Sequence, residues 1–350
     1  MSISVHPSFK LNKVSFSNKK ELLLYAKSFN DDVFDFLDEL FDDSRTIKVK
    51  TSGSTGAPKK VHIEKRYMLN SARATASHFQ LTQATKALLC LNINYIAGKM
   101  MLVRALTQGW DLDIVDPSST PLKGVRESYD FSAMVPLQVR NSLSDLPKVK
   151  KLIIGGGVVS QDLIDELQKL ETKCYATYGM TETVTHIAAK KLNQFNEIDS
   201  EPHYKTLPGI WVYQDKRNCL VVDAPYIADH TIITNDVVKL LSNTHFDWLG
   251  RYDNVINSGG VKLHPELIEN KLAKVIKVDF FVAGIPDNTL GEKLVLIIEG
   301  KGDVAKMSEK IASVLDKYEK PKEIFFVPLL LRTPTNKIQR TLTLKRLPHS

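Results

Sequence analysis

The sequence predicts an α/β fold: a large N-terminal α/β domain with mostly parallel sheets, followed by a small α+β domain at the C-terminus. Three observations carry this. Short apolar runs of strand length alternate with helical stretches up to about residue 178. After about residue 205 strand-like pieces follow one another directly. A polar, glycine-rich stretch at 250–260, GRYDNVINSGG, then marks a junction before a final segment in which strands and helices mix.

In chain order, IKVKT at 47–51 reads as a short strand and KVHI at 60–63 as the next. Residues 65–80 form a helical stretch, and ALLCLNI at 87–93 has strand length. GKMMLVRALTQG at 98–109 is helical and closes on Gly109. LDIV (112–115), FSAMV (131–135) and KLIIG (151–155) are buried-strand runs. SQDLIDELQKL at 160–170 is a helix with Ser160 placed as N-cap, and KCYATY at 173–178 is a strand. Then come CLVVDA, TIIT and VVKLL, a helix at 265–274, FFVAGI, KLVLIIEG, a helix at 304–317 and EIFFV. No internal repeat or low-complexity segment interrupts the series.

Composition narrows the function classes. The chain has 350 residues, 43% hydrophobic and 25% charged, as expected of a globular protein with a sizeable core. No run approaches the ~20 apolar residues of a membrane span, and the N-terminus lacks the apolar core of a secretory signal. The expected location is cytoplasmic. Net charge is +7, but the basic residues are dispersed among 40 acids, without a basic block interleaved with aromatics. A surface that attracts small anions is expected, not a nucleic-acid partner. Cys90, Cys174 and Cys219 are far apart and lie in apolar runs, so buried free thiols are expected. No HExxH pattern is present, and His186 reads as a structural histidine.

Six features carry chemistry. The first is TSGSTGAPK at 51–59. It is not a Walker A loop, because GxxxxGK[ST] does not align with it. Its Gly53 and Gly56 let backbone N–H groups approach a phosphate, Ser52, Ser54 and Thr55 add hydroxyl donors, and Lys59 adds charge. The second is Tyr178-Gly179-Met180-Thr181-Glu182-Thr183, directly after a strand, where open α/β sheets collect ligands. Glu182 offers the oxygen ligand that Mg²⁺ prefers. The third is Gly155-Gly156-Gly157, also after a strand. The fourth pairs Asp236, able to accept from both hydroxyls of a ribose, with Gly250-Arg251-Tyr252-Asp253. The fifth is Ser258-Gly259-Gly260-Val261-Lys262, and the sixth is PTNKIQR at 334–340, with Lys337. Each has a plain structural reading when taken alone: a Ser/Gly turn, a helix start, a solvated lysine.

In this order and spacing, the six features resemble the adenylate-forming superfamily of acyl-CoA synthetases, luciferases and peptide-synthetase adenylation domains, over residues 47–342. The resemblance implies ATP, Mg²⁺ and CoA as reactants, an acyl-adenylate intermediate, and a C-terminal domain that turns as a lid. It assigns Thr51–Lys59 to the β- and γ-phosphates. Gly155, Gly156, Gly157, Tyr178 and Gly179 fall around adenine, and Asp236 and Arg251 at the ribose. Thr181 would touch the α-phosphate and Glu182 would bind Mg²⁺. Asp253 matches the hinge, which divides the chain into 1–252 and 253–350. Lys337 matches the lysine that catalyses adenylation, and Lys262 lies on the face brought in for the thioester step.

The sequence departs from the family pattern in places. Only fifty residues precede the phosphate loop, so part of the usual N-terminal subdomain is expected to be missing. Asn235 and Asn336 stand where glycines are usual, and Tyr95 stands where a histidine is common.

The segments NYIAGKMMLVRAL and DNVINSGGVKLHPELIE are most similar to o-succinylbenzoate–CoA ligases of menaquinone biosynthesis. That likeness puts Tyr95, Gly98, Lys99 and Arg104 at the acyl site. The reactant is a dicarboxylate whose second carboxylate needs a cation. Lys99 and Arg104, about one turn apart, are expected to share a helix face toward it. The alternatives are another aryl- or acyl-acid ligase of the same superfamily, or a nucleotide-binding homologue without catalysis. Small molecules are the expected partners, with a homo-oligomer open.

Overall fold

A computed structural model describes residues 3–50, 60–195, 202–333 and 338–347. The segments Thr51–Lys59 and Lys337, and with them the phosphate loop and the adenylation lysine of the sequence analysis, lie outside the described residues.

The N-terminal fifty residues hold elements that the sequence reading did not place. Strands β1 (Lys10–Leu11) and β2 (Val14–Ser15) form an edge ribbon, followed by helices α1 (Lys19–Phe29) and α2 (Asp31–Phe41). Asn18 caps α1 by accepting from the Glu21 amide, and Glu21 reaches back to the Ser17 amide at 2.8 Å. Asn30 ends α1 and caps α2 through the Val33 amide at 3.0 Å. Val33, Phe36, Leu37 and Leu40 recur at helical spacing, and all four are buried. Strands β3 (Thr46–Lys50) and β4 (Lys60–Glu64) pair antiparallel in a separate hairpin that brackets the 51–59 segment. Helix α3 (Lys65–His78) follows directly.

Next come β5 (Lys86–Leu89), α4 (Ile96–Gln108), β6 (Asp111–Ile114), β7 (Tyr129–Met134), α5 (Pro136–Asn141), β8 (Val149–Ile154), α6 (Gln161–Leu167) and β9 (Lys173–Gly179). Strands β1, β6, β5, β7, β8 and β9 pair in parallel, as the alternation predicts. Every residue of α4 from Gly98 to Leu106 is buried, and Gly109 ends the helix in a left-handed conformation at φ 72°. Ser160 stands at the α6 N-cap position, but its hydroxyl makes no cap. Instead it accepts from Arg140 at 2.8 Å, a charge-assisted bond that outcompetes a backbone amide.

The sheet continues antiparallel through β10 (His186–Lys191), β11 (Tyr204–Thr206), β12 (Trp211–Gln214), β13 (Cys219–Asp223), β14 (Ile232–Ser242) and β15 (His245–Arg251). Among the described residues this makes one thirteen-stranded sheet, in the order β12-β13-β14-β15-β11-β10-β9-β8-β7-β5-β6-β1-β2. TIIT and VVKLL are one strand, β14, not two, because Asn235-Asp236 continues its ladder. The three cysteines are free and buried.

A second sheet holds β16 (Ile256–Ser258), β17 (Val261–Leu263), β18 (Phe280–Asp287), β19 (Gly291–Glu299) and β20 (Glu323–Val327), with β20 parallel to β19. Gly259 and Gly260, at φ 59° and 82°, make the two-residue β16–β17 turn that needs positive φ at both positions. Helices α7 (Pro265–Leu272) and α8 (Val304–Ala312) pack on this sheet, and α9 (Arg340–Leu344) lies near the end of the chain. α8 stops at Ala312, five residues short of the expected 317.

Candidate active site

The parallel strands deliver their C-terminal ends to one region. Gly155 follows β8 and Tyr178 lies near the end of the adjacent β9. A Cβ on Gly155 would come within 2.7 Å of Thr177 Oγ1, so the backbone there lies close to β9. Gly179 has less room still: a Cβ would sit 2.3 Å from the Thr185 carbonyl oxygen and 2.5 Å from His186 Cα. Glycine at 179 is thus a packing requirement, and it lets the chain double back tightly.

That doubling back presents Thr181 and Glu182. Thr183 organises the turn: its hydroxyl accepts from the Met180 amide at 2.9 Å and lies 2.7 Å from the Thr185 carbonyl as donor. Val184, buried and β-branched, is held at φ 65°, a conformation such residues avoid. Strain of this kind persists only where neighbours over-determine it. Glu182 itself is exposed.

Tyr178 joins this turn to the antiparallel half of the sheet. Its ring packs edge-on against Phe246 at 5.3 Å, and its hydroxyl donates to Asp236 Oδ2 at 2.7 Å. Burial, reinforced by the Asp236 charge, raises the Tyr178 pKa well above that of an ordinary phenol. The other carboxylate oxygen, Oδ1, accepts from Trp248 Nε1 at 3.1 Å. The Asp236 amide donates to Thr234 Oγ1 at 3.0 Å. Asp236 and Arg251 are register partners on β14 and β15, with Arg251 Nη1 4.0 Å from Asp236 Oδ1. Arg251 also binds Asp253 at 2.9 Å. Asn235 holds Asp253 too, at 3.3 Å, while its carbonyl accepts from Arg217 at 2.8 Å. The structure therefore brings Gly155, Tyr178, Asp236, Arg251 and Asp253 together across distant parts of the chain. Trp248 was missed in the sequence. Its place three residues before Arg251, in the strand that faces Asp236, was the available signal.

Helix α4 supplies a second group. Gly98 lets its first turn press on the 92–93 backbone, since a Cβ would meet the Asn92 oxygen at 2.4 Å. Tyr95 is exposed at the N-cap position. Lys99 and Arg104 do not share a face, contrary to the sequence expectation: five residues turn an α-helix by about 140°. Lys99 lies over the Phe36 ring at 4.1 Å and is 4.0 Å from Glu39, so α2 answers its charge. Arg104 points the other way and is 1% exposed. Its Nη2 has long contacts to Thr185 Oγ1 (3.4 Å) and His186 Nδ1 (3.5 Å), and its Nε has no partner. Among the described residues no carboxylate pairs with it. Burial lowers its pKa to about 9.

His186 is buried against this guanidinium. Thr75 donates its hydroxyl to the Ser71 carbonyl at 2.9 Å, so at 3.4 Å it can only accept from His186 Nε2–H. The same tautomer leaves Nδ1 as an acceptor facing Arg104. Burial and the Arg104 charge push the His186 pKa well below its ordinary value, and burial lowers His78 from 6.5 to about 4. Both folded pKa values lie below the unfolded ones. The unfolded chain takes protons below about pH 6.5 that the folded chain refuses. The stability these neutral rings allow is complete above that pH and drains as pH falls toward 4. Thermal melts at pH 7.5, 6 and 5 are expected to show a falling Tm. The His186→Asn variant is expected to have a shallower decline, and an unchanged slope would contradict the assignment.

Lys262 is exposed on the β16–β17 hairpin. The two sheets meet where a Cβ on Gly250 (φ 146°) would press 2.3 Å from Glu266 Oε2 of α7. Asn254 donates to the other oxygen of Glu266 at 2.6 Å, and Lys277 pairs with Asp162 at 2.8 Å.

A doubly wound parallel sheet extended by antiparallel strands, with a smaller second sheet beyond Asp253, is the architecture of adenylate-forming enzymes. The chain belongs to the AMP-binding enzyme family, which matches residues 49–213. It is 37% identical to a solved acyl-CoA synthetase (AMP-forming)/AMP-acid ligase II-like protein from Dyadobacter fermentans, over 91% of this chain and 95% of that one, with a TM-score of 0.61. It is 25% identical to the 2-succinylbenzoate–CoA ligase of Escherichia coli, over 83% of this chain and 66% of that protein, so it spans just under two thirds of that relative. The fold is also that of o-succinylbenzoate CoA synthetase (MenE) from Bacillus subtilis, solved with the acyl-adenylate OSB-AMP. That match is 19% identical with a TM-score of 0.75, covering 95% of this chain and 81% of that one. Among the described residues no helix is long and apolar enough to cross a membrane.

Proposed function

We propose that this protein is an ATP-dependent acid–CoA ligase that activates o-succinylbenzoate, a step of menaquinone biosynthesis. A substrate carboxylate oxygen attacks the α-phosphorus of ATP and pyrophosphate leaves. The CoA thiol then attacks the acyl carbonyl, and AMP leaves with the electron pair of the acyl–oxygen bond. A carboxylate acylates nothing until its oxygen becomes part of such a leaving group, and the residues must stabilise charge as it develops on phosphorus.

In this reading Tyr178 and Gly155–Gly157 border the adenine. Asp236 accepts from the ribose hydroxyls beside Arg251, and Thr181 meets the α-phosphate. Mg²⁺ keeps several waters and binds through one or two carboxylates plus phosphate oxygens, so the exposed Glu182 is sufficient to hold it; when bound, the ion neutralises phosphate charge. Thr51–Lys59 and Lys337 complete the phosphate site. Asp253 is the hinge between 1–252 and 253–350, and Lys262 belongs to the thioester face.

The observation that carries the choice of acid is Arg104, a buried guanidinium without a carboxylate partner among the described residues. Such a charge is expensive to bury, and an anionic substrate group that enters the acyl site offsets that cost. Lys99 is left out of this role because α2 already answers it. The 2-succinylbenzoate–CoA ligases among the relatives favour the same acid.

Pyrophosphate release with Mg²⁺ATP and o-succinylbenzoate, with and without CoA, against a panel of aryl and fatty acids, tests the proposal. Release with o-succinylbenzoate, and a CoA thioester when CoA is added, is the expected result. Release only with another acid would retain the chemistry and discard the substrate. No release with any acid would discard the chemistry.

A further inference from the structure

We propose that Trp248 is a positioning residue that holds Asp236 for a vicinal diol and thereby sets the preference for ribo- over 2′-deoxyribonucleotides. The inference rests on the nucleotide reading of Asp236. It adds a residue and a selectivity to that reading.

An ionised carboxylate has about four acceptor positions. In Asp236 one position on each oxygen is taken by a neutral donor: Trp248 Nε1–H on Oδ1 at 3.1 Å and Tyr178 O–H on Oδ2 at 2.7 Å. The backbone amide of Asp236 goes to Thr234, and Arg251 stays 4.0 Å away. One acceptor position per oxygen is left, spaced as the two hydroxyls of a vicinal diol require. Neutral donors fix the carboxylate plane without cancelling its charge. The side chain is only 11% exposed, so water cannot substitute for them freely. Tyr178 is part of the turn at the end of β9, but Trp248 comes from β15. Its indole N–H is what stops Oδ1 from turning toward Arg251. Once Oδ1 is free to turn, the second hydroxyl loses its acceptor. A 2′-deoxynucleotide never used that acceptor and has less to lose.

The test is calorimetric titration of the full chain with AMP and with 2′-deoxy-AMP. Trp248→Phe is expected to weaken AMP about tenfold, the scale of one hydrogen bond to a charged group. It is expected to weaken 2′-deoxy-AMP far less, so the preference between the two shrinks. Trp248→His, which keeps a ring N–H, is expected to restore part of the preference. In the unsubstituted protein, which has three tryptophans, the Trp248 indole N–H resonance is expected to shift more with AMP than with 2′-deoxy-AMP. Equal weakening of both nucleotides, or equal resonance shifts, would make Trp248 merely structural and overturn the inference. A wild-type protein that binds 2′-deoxy-AMP as tightly as AMP would also overturn it. If the wild type binds neither nucleotide, the nucleotide reading itself falls, and this inference with it.

Discussion

Lys337→Ala is expected to lower acyl-adenylate formation by about 10²–10³-fold, the cost of removing one group aimed at developing transition-state charge. Thioester formation from supplied acyl-adenylate is expected to stay within a few-fold of wild type, because in the proposed mechanism a different face, carrying Lys262, attends that step. Single-turnover measurement of each half-reaction separates the two. Loss of both to the same degree would show that Lys337 acts through the fold of the C-terminal domain and not at the phosphate. Lys337→Arg sharpens the result, since it keeps the charge but not the compact ammonium.

Arg104→Met is expected to move activity and stability in opposite directions. Among the described residues the guanidinium is buried without a counter-charge, and its lowered pKa records that cost. Methionine fills much of the same space without charge, so the melting temperature is expected to hold or rise. Turnover of the dicarboxylate is expected to fall by about tenfold or more, because a charged hydrogen-bond donor to a buried anion is lost. Benzoate-like monoacids are expected to change little. A fall in stability together with a uniform loss across acids would show that Arg104 is a structural strut between α4, Thr185 and His186.

The strands Thr46–Lys50, Tyr129–Met134, Val149–Ile154 and Lys173–Gly179 were legible because short runs with apolar residues, bounded by turn residues, have few other uses. The residues of the candidate site were legible as types at spacings, such as glycines where backbone must approach backbone. Their meeting was not. That Tyr178 donates to Asp236 depends on β9 and β14 lying in one sheet, which no local pattern encodes. TIIT and VVKLL read as two pieces because two polar residues, Asn235 and Asp236, stand between them; inside β14 these residues face a site. The pairing of Lys99 with Arg104 failed on helical angle and on an unseen partner, Glu39 of α2. The N-terminal helices were passed over because their amphipathic signal stands apart from any motif.

The edge of the large sheet also bears on how the protein is made. Lys10 and Leu11 pair in parallel with Asp111 and Leu112, across about a hundred intervening residues. The strands on the other side of that edge, β6, β5, β7, β8 and β9, come from consecutive stretches of chain. During synthesis residues 10 and 11 can pair only with the neighbouring β2 until residue 112 has been made. Closing so long a loop is slow relative to local pairing. Until then the apolar faces of α1 and α2 have no sheet to cover. The nascent protein therefore passes through a stage in which the apolar faces of α1 and α2 are uncovered, and that is when a chaperone would have most to bind.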